Sequence, residues 1–125
     1  MADYEPTYGK PQSVTLIAGA AITGGQLVSI TADNTVSPTS AGPANFAGVA
    51  GHDAATGANV TIYGGSGIVH ETGIAAGVAS GTLVYAGASG QVTGTAGANY
   101  GAVPIGVATR TVSGAGTQRW KTLVG

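Results

Sequence analysis

The sequence predicts an all-β protein: a small β-barrel or β-sandwich of about 8–10 short strands, built from two duplicated β units and preceded by an extended N-terminal arm. Three observations predict it. Of 125 residues 23 are Gly and only 7% are charged, while Val, Ile and Thr abound; β-branched side chains broken by frequent Gly suit short strands and tight turns. The stretch NVTIY (59–63) alternates, with Val60 and Ile62 on one face and Asn59, Thr61 and Tyr63 on the other, the period of a half-buried strand. The third is an internal repeat. Gly25-Gln26-Leu27-Val28 returns as Gly81-Thr82-Leu83-Val84, and Val36 as Val92, at a spacing of 56; Gly48-Val49-Ala50 returns as Gly106-Val107-Ala108 at 58. Two copies are too few for a solenoid, which needs about three or more repeats. They suffice to close a small barrel or sandwich by packing on each other.

Taken in order, residues 1–12 read as the arm. Pro6 and Pro11 oppose both helix and central strand, and Tyr4 and Tyr8 are large amphipathic groups with no packing period. Residues 13–125 form one β domain with pseudo-repeats 13–66 and 67–125. SVTLIA (13–18) and QLVSIT (26–31) are strands, and Asp33-Asn34 is a turn across which Thr35-Val36 pairs back. Pro38 and Pro43 make 37–45 a loop. FAGVA (46–50) is the next strand, HDAATGAN (52–59) a turn-rich connection to NVTIY, and GGSG (64–67) the joint to the second unit. There GIVHETGIAAGVASGTLVYAGASGQV (67–92) lies over residues 14–36, TGTAGANYGAV (93–103) replaces the earlier loop, and Gly106-Val107-Ala108 within PIGVATRTVSGAG (104–116) repeats Gly48-Val49-Ala50. Each unit is expected to hold about four strands. The expected core is Val14, Leu16, Ile22, Leu27, Val28, Ile30, Val49, Val60, Ile62, Val69, Val78, Leu83, Val84, Val107 and Leu123, with Phe46 or Trp120 closing an end. A core this lean in large side chains predicts modest monomer stability and help from oligomerisation or a partner.

The chemistry is narrow. There is no cysteine, hence no disulfide and no thiolate metal site. The N-terminus has no apolar signal segment and no apolar run approaches about 18 residues, so a cytosolic product with no membrane partner is expected. A formal net charge of −1 lacks the basic patch of a nucleic-acid binder. His52-Asp53 sits at a turn, where Asp commonly bonds its own backbone. His70 and Glu71 are neighbours on a strand and face opposite ways. Neither pair makes a metal or acid–base site, the nucleophile and phosphate-loop motifs are absent, and no catalytic residue, cofactor or small-molecule substrate is expected. Between residues 54 and 109 the only charged side chain is Glu71. A surface so poor in charge is expected to be covered by partners. Arg119-Trp120-Lys121 is a candidate contact patch, or else a strand alternating a buried Trp with exposed basic residues.

GAAITGGQLVSI (19–30), FAGVAGHDAATGANVTIYGGSGIV (46–69), GIAAGVASGTLVYAGASGQVT (73–93) and PIGVATRTVSGAG (104–116), in that order, resemble a family of small Gly/Ala-rich tailed-bacteriophage head proteins. The second unit departs from the pattern, with Arg110-Thr111-Val112 in place of the Asp-Ala-Ala turn. The resemblance implies a capsid decoration, or cement, protein: a structural virion protein, made in the host cytoplasm, that binds the outside of the mature icosahedral head as a homotrimer. There it holds neighbouring major capsid subunits together. Tyr4, Glu5, Pro6 and Tyr8 of the arm are the expected capsid anchors. The alternatives are a head-fibre base or other surface-display protein and, in a different class, a secreted glycan- or ice-binding module.

Overall fold

The computed structural model describes residues 12–40, 45–94 and 104–123, which form ten strands and one short 3-10 turn. The residues expected as capsid anchors, Tyr4, Glu5, Pro6 and Tyr8, lie outside the described residues. The first unit comprises β1 (Gln12–Ala18), β2 (Leu27–Ala32), β3 (Thr35–Pro38), β4 (Phe46–Ala50) and β5 (Asn59–Gly64). They close in the order β1-β3-β2-β4-β5. Closure is the work of β1, which pairs antiparallel with β5 along Gln12–Ile17 and parallel with β3 at Ile17 and Ala18. The remaining neighbours are antiparallel: a β2–β3 hairpin turning at Asn34 (φ +52), then β4 and β5.

The second unit comprises β6 (Val69–Ile74), β7 (Leu83–Ala86), β8 (Val92–Thr93), β9 (Gly106–Ala108) and β10 (Gly116–Thr122), with the 3-10 turn Ala88–Gly90 between β7 and β8. It closes as β10-β6-β8-β7-β9, and its register follows the repeat spacing. Ala18↔Val36 becomes Ile74↔Val92, Leu27↔Val49 becomes Leu83↔Val107, and Ala50↔Ile62 becomes Ala108↔Trp120. The isolated bridge Ile22↔Ala54 becomes Val78↔Val112. The fold is thus all-β, with five strands per unit where about four were expected. Each unit closes its own barrel; the sequence had left open a single barrel or sandwich made by both. Which strand β1 pairs with is decided by three-dimensional closure, which has no local sequence signal.

A five-stranded barrel is narrow, and its strands approach closely at one glycine per unit. At Gly48 (φ +148) an added Cβ would press into the Tyr63 carbonyl oxygen and lie 2.8 Å from Ile62 Cγ2. At Gly106 it would lie 2.5 Å from Lys121 O and 2.6 Å from Trp120 Cε3. The first barrel is filled by small and medium side chains: Ala18, Ile22, Val28, Val36, Ala50, Ala54, Val60 and Ile62. Leu27 and Val49 point out of that barrel, yet are fully buried in a cluster with Ile74, Val78, Val84, Ala86, Val92, Ile105, Ala108 and Trp120 of the second. Phe46 and Tyr63 pack against the same cluster. Hydrogen bonds cross this junction from Thr39 Oγ1 to Gly87 O (2.7 Å), Gly90 N to Thr39 O (3.2 Å) and Gln26 Nε2 to Ser89 O (3.1 Å).

The core list holds for Ile22, Leu27, Val28, Val49, Val60, Ile62, Val78 and Val84. It fails for Val14, Ile30, Leu83 and Leu123, which are 51%, 40%, 43% and 48% exposed. Leu16, Val69 and Val107 are half-buried. Leu83 shows the reason. It stands outward on the second barrel, as Leu27 does on the first, but no third barrel covers it. Between the barrels, Thr122 clamps the joint: its hydroxyl donates to Gly65 O (2.7 Å) and accepts from Ile68 N (2.8 Å), while Gly67 N donates to Thr122 O (2.9 Å).

Gly48→Ala is expected to destabilise the protein by about 2–4 kcal/mol, because the barrel wall has no room for the methyl group and the backbone is left-handed. Gly57→Ala, also at positive φ (+88) but with nothing within 4 Å of the added carbon, should cost only about 1 kcal/mol. Urea titration of the two variants checks the difference.

Candidate functional site

The three residues of the contact-patch candidate divide by strand alternation. On β10, Gln118, Trp120 and Thr122 point inward and are buried, while Arg119 and Lys121 point outward. Trp120 is therefore not part of a contact patch. It occupies the middle of the second barrel at the position of Ile62 in the first, donates from Nε1 to Thr72 Oγ1 (2.9 Å), and lies 5.1 Å from the His70 ring and 6.5 Å from Phe46. Arg119 sits directly across from Glu71 in the β10–β6 register. Glu71 accepts from both Arg119 Nη2 (3.4 Å) and Arg110 Nη2 (3.1 Å), and Arg110 also reaches Thr117 O (3.0 Å). Each of these side chains is a third or more exposed, so the cluster organises the surface more than it stabilises the fold. Arg110, which the sequence offered only as a departure from the family pattern, is the residue that completes it. Lys121 stands beside the cluster, paired with Val69 and Val107 across its two neighbouring strands.

His52 and Asp53 are structural, and by a different bond than expected. Asp53 Oδ1 does not close its own turn; it accepts from Gly24 N (2.9 Å) and ties this connection to the turn before β2. His52 Nδ1 faces Asp53 O (2.9 Å) and its Nε2 accepts from Thr61 N (3.2 Å), an arrangement that puts the ring proton on Nδ1. Among the described residues no group of three or more His, Cys, Asp or Glu side chains comes together.

The second barrel differs from the first in what fills it. At the positions of Val14 (exposed), Leu16 (half-buried) and Val60 (buried) in the first, the second has His70, Thr72 and Gln118, all three buried. Gln118 Oε1 accepts from Arg119 N (2.8 Å), and its amide nitrogen has no acceptor among the described residues. Burial lowers the His70 pKa from 6.5 to about 4, because the apolar barrel disfavours the charged imidazolium.

What remains for partners is the outer wall. Among the described residues its charges apart from the Glu71 cluster are Asp33, Asp53 and Lys121. It exposes Leu83 and Leu123 on the second barrel and Val14, Ile17 and Ile30 on the first. Both sheets close, through short pairings: β1 meets β3 at Ile17 and Ala18, and β6 meets β8 at Ile74. The sequence reading missed this wall because it assigned four of these five side chains to the core.

A family model described as phage cement protein matches residues 8–124. Among solved structures, the chain is similar to the head fiber gp8.5 N base of bacteriophage phi29, with a TM-score of 0.65 at 13% sequence identity, covering 90% of this chain and 94% of that one. No curated protein matches it by sequence.

The buried imidazole makes stability depend on pH. Above about pH 6.5 His70 is neutral in both the folded and the unfolded chain. Between 6.5 and about 4 the unfolded chain takes up the proton and the folded one does not, so stability falls as pH falls. The slope is about 1.4 kcal/mol per pH unit and the total about 3 kcal/mol. Below the folded value both states are protonated and this contribution levels off. His70→Val, which places in the second barrel the residue found at Val14 in the first, should remove that part of the slope in urea titrations across this range.

Proposed function

The chain belongs to the phage cement protein family, and from that premise we propose that it binds the outer surface of the mature icosahedral head as a homotrimer and fastens neighbouring major capsid subunits to one another. It is a capsid-associated structural protein. The observation that carries the finer reading is the outer wall: two closed barrels whose described surface carries little charge but exposes several large apolar side chains. Such a wall suits broad contact with protein and carries no chemistry of its own.

The mechanism is linkage. A protein that binds the assembled mature lattice, and not the procapsid or separated subunits, raises the free energy needed to open the shell. Individual contacts can be weak, because one trimer touches several capsid subunits and gains avidity from holding them together. Within this reading residues 13–125 are one β body, and the arm of residues 1–12 reaches a neighbouring capsid subunit through Tyr4, Glu5, Pro6 and Tyr8. The Arg110–Glu71–Arg119 cluster and Lys121 are polar contacts at the rim of the same wall. A second reading, a head-fibre base that displays another function, is favoured by the likeness to the phi29 head fiber base. It predicts attachment to heads without strengthening them.

Two outcomes are expected. Heads lacking the protein should release DNA at a lower temperature than heads to which purified protein is added back; equal release temperatures at full occupancy would sink the cement reading and leave the display reading. Deleting residues 2–11, which spares the Gln12↔Gly64 pair at the start of β1, should leave the circular dichroism spectrum intact and weaken head binding by about tenfold or more, about 1.4 kcal/mol. Unchanged affinity would remove the arm from the contact.

A further inference from the structure

The two barrels are alike, and they are joined by unlike faces. The first barrel docks with its β2–β4 face, through Leu27 and Val49. The second receives it at its β7–β8 end, at Ala86, Gly87, Ser89 and Gly90. Because the register repeats, each face has a counterpart on the other barrel. The counterpart of the docking face is Leu83 and Val107 on the second barrel, which pair as Leu27 and Val49 do. The counterpart of the receiving end is the β2–β3 turn of the first barrel, with Ile30 at the place of Ala86 and Thr31, Asp33 and Asn34 at the places of Gly87, Ser89 and Gly90.

Burial separates the used pair from the unused one. Leu27 and Val49 are fully buried, whereas Leu83 is exposed and Val107 half-buried. Ala86, Gly87 and Gly90 are buried; Ile30, Thr31 and Asn34 are exposed. Ile17 lies beside that end, bonded through its N–H to Asn34 O (2.8 Å), and is exposed as well. Each chain therefore carries one copy of the junction made and the two halves of another left open, with apolar side chains on both halves.

We infer that a second copy of this chain covers them: the Leu83–Val107 face of one copy docks on the Ile30–Asn34 end of the next, repeating between chains the junction that joins the barrels within each. The contact is heterologous, since the two halves differ, and such contacts close into rings when the rotation allows. First and second barrels then alternate around the ring. Three differences modify the repeat. The β2–β3 turn is a bulged hairpin with positive φ at Asn34 and not at Asp33, whereas Ser89 and Gly90 of the 3-10 turn both have positive φ. Asn34 has a side chain where Gly90 has none, and a Cβ at Gly90 would come within 2.7 Å of Gln26 Cβ, so the contact between chains is more open at that point. Thr82 stands in for Gln26 and is too short to reproduce its bond to the turn. The burial of Leu83 and Ile30 supplies the attraction. The number of copies in the ring rests on the trimer proposed above; the pairing of the two faces does not.

The test is made in solution, away from capsids, so that its outcome is independent of head binding. The wild-type chain should sediment as a closed oligomer. Leu83→Asp and Ile30→Asp should each sediment as monomer with an unchanged far-ultraviolet circular dichroism spectrum, association being weakened at least about a hundredfold. The chain lacks cysteine, so Thr82→Cys and Asp33→Cys each introduce a single thiol. Treated with a short bismaleimide, a mixture of these two variants should give a cross-linked pair containing one of each, and either variant alone should give none. A monomeric wild type, cross-linking of one variant to itself, or an oligomer indifferent to both Asp substitutions would overturn the inference. A ring that forms in solution but does not bind heads would uphold it and refute the cement reading.

Discussion

Closure of a sheet of only five strands is the constraint from which the rest of this molecule follows. So small a barrel has little interior volume, and the first is filled by side chains of modest size. That is why Ala18, Val28, Val36, Ala50 and Val60 line the first barrel, and why its walls come together at Gly48 with no space for a methyl group. The low count of large apolar residues, which looked like a deficit in the sequence, is the filling that this geometry demands. Larger side chains of the first unit, Leu27, Phe46 and Tyr63, stand outside its barrel at the junction with the second.

The same backbone tolerates two quite different fillings. Both barrels share their register and their close-approach glycine, yet Leu16, Val60 and Ile62 in one correspond to Thr72, Gln118 and Trp120 in the other, and the exposed Val14 to the buried His70. Trp120 is the largest fully buried side chain, and its indole nitrogen needs an acceptor, which Thr72 provides. His70 and Gln118 are buried beside it. Burying them has a cost: the Gln118 amide nitrogen lacks an acceptor among the described residues, and such a group costs about 1–3 kcal/mol. The second barrel therefore contributes specificity of packing more than stability, and it holds the buried ionisable group through which acid acts on the fold.

Much of this was legible in the chain. The spacing of Gly48-Val49-Ala50 and Gly106-Val107-Ala108 located two strands, alternation on NVTIY gave the inward faces correctly, and one of the two readings of Arg119-Trp120-Lys121 had Trp120 buried between outward basic residues. The strand-turn reading of Asp33-Asn34 located the β2–β3 hairpin. What alternation could not report is that a side chain pointing out of one barrel may be buried by the next. Leu27 and Leu83 are the same residue in the same motif, one fully buried and one exposed; only the packing of whole barrels distinguishes them. The antiparallel β1–β5 closure was hidden for a related reason, since it joins residues at the two ends of a unit. The bond from Asp53 to Gly24 spans two turns that the chain separates widely, so a local reading kept that carboxylate within its own turn.

The clamp at the joint fixes more than the linker. Thr122, at the end of β10, bonds to Gly65 and Ile68, and the backbone nitrogen of Gln12, at the start of β1, lies close enough to Gly65 that an added carbon there would stand 3.8 Å from it. The first strand, the last strand and the crossover between the units thus converge on one spot. Topologically the body is nearly a loop, and cutting it at Gly65–Gly67 while splicing its last strand to its first would leave the pairings within the sheets formally intact. Gln12 and Thr122 thus stand as neighbours at one end of the body, although nearly the whole described chain lies between them.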